Sequence, residues 1–295
     1  MGLSIIRYYT FKDATKYISP SIQSGLELNN QDYFKYALLL DLSSYHHPLN
    51  PFKVDSYQIS SKIFKENFER FFIECLEQAF LHADDFEKIA CYFLLLSYTT
   101  DLVFTPYIQG HATKKKPVDY IENMLESYFF SKYEKKSIHQ INLADYFFDS
   151  FQLNEHDIHL LEKPIKRIFG FFCIKNYFKA RYQDIQFYYD HLARSKTGIK
   201  KIFYFFYDSL FNHRKGKKKA KSYLYHKRID TTVLNLNKDV YQYDGIDYCD
   251  TIDERYNAHL KMAKEACTIL NDYFNFNQNT KPILQFLKKV KKENE

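Results

Sequence analysis

Residues 92–108 read Tyr-Phe-Leu-Leu-Leu-Ser-Tyr-Thr-Thr-Asp-Leu-Val-Phe-Thr-Pro-Tyr-Ile, an apolar segment carrying a single acid. Ser97 and Thr105 lie four positions before and after Asp101, so on a helix the three form one polar stripe. The segment reads as a buried helix. A carboxylate inside it costs on the order of several kcal/mol unless it is paired or bound to a metal.

The rest of the chain points the same way. It has 295 residues but only 7 Gly and 7 Pro, and hydrophobic residues make up 45%. Few turn-formers and long periodic segments predict an all-α protein with a sizeable core. Helices are expected over 11–18, 32–42, 60–81, 86–104, 118–133, 143–151, 155–170, 176–193, 200–211 and 252–274. Asp84 and Asp85 are expected to cap the 86–104 helix, and Pro106 to end or bend it. Residues 231–250 read as extended or irregular. A helical domain is expected over 1–281, followed by a basic tail over 282–295.

Net charge is +6, with Lys and Arg run together at 214–221 and 288–292. That is too weakly basic to predict nucleic-acid binding. The basic runs read either as solvated loops and termini or as contacts to an anionic membrane surface. The five cysteines have no CxxC spacing, which predicts a reducing, cytoplasmic setting without a disulfide framework. No signal-peptide pattern is seen near the start. No apolar run approaches the roughly 18 residues of a membrane span.

Three acids are candidates for chemistry. Asp41 follows an apolar helix at its C-terminal end, where an anion is disfavoured. Asp101 lies mid-helix, and Glu122 sits one turn beyond Val118 on the next helix. Converging in a helical core, the three would suit a cation bound through oxygen. Equally, each could be an ordinary capped or salt-bridged acid.

The spacing around these acids resembles the zinc-dependent phospholipase C family. Residues 97–108 are similar to its His-x3-Asp-x3-His-Pro-Tyr-Ile helix at Asp101, Pro106, Tyr107 and Ile108. Residues 39–48 resemble the family segment that ends Asp-x3-(Tyr/His)-x-Pro, with Asp41 on a metal-ligating aspartate. Residues 118–126 resemble His-x3-Glu-x3-Asp, with Glu122 on the ligating glutamate and Glu126 closing the motif. Tyr8 to Phe11 is like the family's His-x-x-Phe opening. Two later stretches, 184–203 and 249–266, look like a bacterial branch of the family. The resemblance spans most of the chain, carried by order and spacing rather than by any one motif. It implies an all-α, compact multi-helix single domain of the zinc-dependent phospholipase C / S1-P1 nuclease type.

The departures bear directly on function. Family histidine ligands correspond here to Tyr8, Ser97, Thr105 and Val118, and a further one falls in residues 55–61, which contain no His. Zinc favours imidazole or thiolate, so three carboxylates alone are a poor multinuclear zinc site. The resemblance therefore implies a diverged member without bound cofactor or hydrolase activity, acting as a binding or scaffold protein. The alternative is a phosphodiester (phospholipid) hydrolase with a remodelled site. That site would hold Zn, or Mg or Ca, at Asp41, Asp101 and Glu122 with His46, His47 or His111 recruited. His156 and His159 form a second pair whose spacing could place both on one helix face.

Overall fold

In a computed structural model, residues 3–23, 30–39, 67–141, 143–148, 155–169, 183, 185 and 228–294 are described. Among them the chain is predominantly helical, as its shortage of turn-formers predicts. In chain order the helices are α1 (Ser4–Ala14), α2 (Pro20–Gln23), α3 (Asn30–Leu39), α4 (Phe68–His82), α5 (Asp85–His111), α6 (Val118–Glu134), α7 (Leu143–Phe148), α8 (Glu155–Phe169), α9 (Ile252–Asp272) and α10 (Lys281–Asn294). The expected helices over 176–193 and 200–211 lie outside the described residues, apart from 183 and 185.

Helix α5 is the axis of the fold. It packs against α1, α3, α4, α6, α8, α9 and α10. Its start follows the expected chemistry, since the Asp84 carboxylate accepts the Phe86 N–H at 2.8 Å. Its end does not. Pro106 lies inside the helix, which continues to His111. The proline forfeits one backbone hydrogen bond. Against that loss, Tyr107 and Ile108 are buried, and the Tyr107 hydroxyl donates to the Val233 carbonyl at 2.8 Å. By length and composition α5 could cross a membrane, but its apolar stretch is largely enclosed by the other helices.

Helix α1 begins seven residues earlier than periodicity suggests, at Ser4 rather than Phe11. Its Ile, Tyr and Phe residues are modest helix formers, but Ile5, Ile6, Tyr8, Tyr9 and Phe11 are all fully buried. Packing on several faces outweighs propensity. The Glu126 carboxylate accepts the Ile5 N–H at 3.1 Å, placing an anion at the helix N-terminus. At the other end the Asp13 carboxylate accepts from the hydroxyls of Tyr133 on α6 and Tyr256 on α9.

Between α8 and α9, Asp230 caps a short 3-10 turn over Thr231–Leu234. A two-stranded antiparallel hairpin follows, β1 (Tyr241–Tyr243) and β2 (Ile246–Tyr248). Asp244 and Gly245, both at positive φ, form its two-residue turn. The region read as extended or irregular is thus a tight hairpin packed on α5.

The basic end, expected as a tail, is helix α10. Ile283, Phe286, Leu287 and Val290 recur at helical spacing and are buried against α5 and α9. Its lysines occupy the opposite face, where Lys289 pairs with Glu265 at 2.9 Å.

Candidate functional site

The polar stripe of α5 runs from the core to a cavity. Ser97 is fully buried, and its hydroxyl has no hydrogen-bond partner among the described residues. Asp101 and Thr105 are partly exposed one and two turns on. They line a cavity of about 200 Å³ together with Leu3, Arg7, Val118 and Glu122. Asp101, Thr105, Val118 and Glu122, distant in sequence, therefore share one concave site at the junction of α1, α5 and α6. Asp41, His46 and His47 lie outside the described residues.

The Asp101 carboxylate is held by a cation from the chain itself. Arg7 Nη2 lies 2.7 Å from both Asp101 oxygens, and Nε donates to Oδ1 at 3.2 Å. Arg7 Nη1 donates to the Ala37 carbonyl at 3.1 Å, in the last turn of α3. A guanidinium suits this position because its planar fork meets a carboxylate at two points and favours the negative end of a helix. The Arg7 side chain is 3% exposed and that of Asp101 32%, so the pair has one buried and one wetted member. Asp101 is not the fully enclosed acid that the apolar sequence around it suggests.

The remaining aligned positions serve packing. The Thr105 hydroxyl donates back to the Asp101 carbonyl at 2.6 Å, within its own helix. Val118 contributes an apolar wall. Tyr8 does not line the cavity. Its ring is buried against Tyr9, Phe34 and Phe147, and burial pushes its hydroxyl pKa up. His111 does not join the acids either. Its Nδ1–H donates to the Tyr107 carbonyl at 2.8 Å, and its ring packs against Tyr107 and Tyr241. Burial lowers its pKa.

The donor set among the described residues does not fit zinc. Among the described residues, no imidazole or thiolate lines the cavity. Both oxygens of Asp101 face a guanidinium, and that fixed positive charge disfavours a second cation beside it. Arg7 is the functional-site residue that sequence reasoning missed. The signal was a lone arginine in the apolar run Ser-Ile-Ile-Arg-Tyr-Tyr, because an enclosed arginine demands an anionic partner.

A second, larger cavity of about 620 Å³ opens beside α9 and the hairpin, lined in part by Cys249, Asp250, Arg255 and His259. Arg255 donates to the Asp250 carboxylate at 2.9 Å and to the Tyr241 hydroxyl at 2.7 Å. His259 is fully buried, with Nε2 2.9 Å from the Thr100 hydroxyl. That hydroxyl gives its own proton to the Leu96 carbonyl at 2.7 Å, so His259 is the donor and its Nδ1 carries the lone pair. Nδ1 has no partner among the described residues, and burial pushes the His259 pKa down to about 3.

Cys75, Cys91 and Cys267 are buried free thiols whose pKa is raised by burial, and Cys249 is exposed and free. Comparison with family models, with curated proteins and with solved structures found no match for this chain.

Proposed function

We propose that this chain is a diverged relative of the zinc-dependent phospholipase C family that binds rather than hydrolyses. It would act as a binding or scaffold protein in the cytoplasm through the cavity at Asp101. Support for kinship comes from the order and spacing of the acid motifs, and from Asp101, Thr105, Val118 and Glu122 meeting at one cavity. The observation that carries the loss of catalysis is the two-point pairing of Arg7 with Asp101. A guanidinium supplies positive charge, but it neither lowers the pKa of a bound water nor offers an open coordination position.

Metal analysis of protein purified without chelators tests this reading, together with phosphodiester turnover in the presence of zinc, magnesium or calcium. The expected result is no turnover and no zinc that depends on Asp101. Two or more tightly bound zinc ions per chain, or turnover abolished by Asp101→Asn, would establish the remodelled hydrolase instead.

A further inference from the structure

A second cluster of ligand-type side chains lies where α4, α5 and α8 meet, separate from the cavity at Asp101. Helix α4 ends at His82, Ala83 turns the chain at φ 53°, and Asp84 caps α5. This two-residue link returns the first turn of α5 to the end of α4. Glu87, 3% exposed, is thereby placed with both carboxylate oxygens 3.0–3.1 Å from His82 Nδ1. His159 arrives from α8, its ring centroid 5.5 Å from that of His82. One ligand atom from each of His82, Glu87 and His159 lies within 4.8 Å of the other two.

We infer that His82, Glu87 and His159 form a mononuclear site for a divalent transition metal, with zinc the best match. Two imidazoles and one carboxylate are a donor set that zinc favours, and three protein ligands leave a fourth position for water. Around a tetrahedral ion with bonds of ~2.0–2.1 Å the ligand atoms stand roughly 3.3 Å apart. The His82–Glu87 spacing already approaches this, and both imidazoles are exposed enough to turn. The charge balance favours an ion as well. An enclosed carboxylate calls for positive charge beside it, and a divalent cation supplies that charge.

The Gln78 amide sets the tautomer of His159. The Gln78 amide nitrogen lies 2.9 Å from His159 Nδ1 and donates to the His159 carbonyl at 2.8 Å, while its buried Oε1 has no partner among the described residues. An amide N–H donates and does not accept, so in this arrangement His159 Nδ1 is the acceptor and Nε2 carries the proton, and ion binding by His159 requires its exposed ring to turn off Gln78. The site would clamp three helices, so its occupancy should be read in stability as well as in binding.

The test is zinc titration of the full chain by calorimetry, with thermal unfolding followed in parallel. The wild type should bind one zinc ion per chain and unfold several degrees higher with zinc than with a chelator. His159→Ala, which removes an exposed side chain, should abolish the zinc-dependent rise, and Glu87→Gln should do the same. Circular dichroism without metal establishes that each variant is folded. Absence of zinc binding by the wild type overturns the inference, as does binding by folded His159→Ala that matches the wild type. Because each substitution lies outside the Asp101 cavity, zinc that survives all of them counts against the proposed function and not in favour of this site.

Discussion

The guanidinium of Arg7 on α1 meets both carboxylate oxygens of Asp101 on α5, with Nη2 2.7 Å from each. This pair joins two helices across a wall of the cavity, and its third arm reaches α3 at the Ala37 carbonyl. Its contribution is therefore to register as well as to charge.

Removing one partner should cost more than removing both. Arg7→Met removes the guanidinium from the Asp101 carboxylate and is expected to destabilise the fold by about 3 kcal/mol, the low end for breaking an enclosed pair, because Asp101 is partly wetted. Arg7→Met combined with Asp101→Leu should recover part of that loss. Urea denaturation of the two single variants and the double variant, combined as a thermodynamic cycle, measures the coupling. Strict additivity would show that the pair is not energetically linked.

The buried imidazole of His259 should make the fold sensitive to mild acid. Its folded pKa, about 3, lies below the ordinary value of 6.5. The unfolded chain therefore binds the proton more readily between those values, and stability falls as pH falls through that window. One such group contributes a slope of roughly 1 kcal/mol per pH unit. Unfolding free energies at a series of pH values below 7 should show a shallower decline for His259→Leu than for wild type. An unchanged slope would assign the acid sensitivity to other groups.

Gly110 marks a close approach between α5 and the hairpin. A Cβ there would strike the Tyr241 ring and lie 3.1 Å from the Gln242 carbonyl. Tyr241 cannot swing away cheaply, because its hydroxyl is held by Asp250 and Arg255. Gly110→Ala gains up to ~1 kcal/mol of helix propensity, but overpacking costs typically 1–3 kcal/mol. A net loss is expected, seen as a lower Tm. The same change made in a Tyr241→Leu background should cost less, and an equal cost in both would locate the clash elsewhere.

Local chemistry was readable before the fold was known. The Asp84 cap, the periodic stretches of α4 and α6 and the stripe through Asp101 follow from spacing a few residues long. Thr105 from that stripe, and Val118 and Glu122 from the family resemblance, line one cavity with Asp101. What occupies Asp101 was not readable, because Arg7 lies 94 positions away and pairing over that distance leaves no periodic trace. Pro106 misled for a different reason, since a residue that normally closes a helix is tolerated when packing on the far side holds the next turn. The last helix was hidden by its lysines, whose charge masked the buried row at Ile283, Phe286, Leu287 and Val290. His82 and Glu87 are only five positions apart, yet their meeting depends on Ala83 adopting a left-handed turn that alanine does not advertise.

The enclosure of α1 has a consequence for the order of events during synthesis. Asp13 takes its hydroxyl partners from positions 120 and 243 residues further on, and the Ser19 N–H finds its acceptor in Asn271, 252 residues away. The helix made ahead of these partners is thus among the last to have its polar groups satisfied. Until α9 is made, the Asp13 carboxylate lacks its Tyr256 hydroxyl and the Ser19 N–H its Asn271 acceptor, so final docking of this segment waits on contacts of high sequence separation.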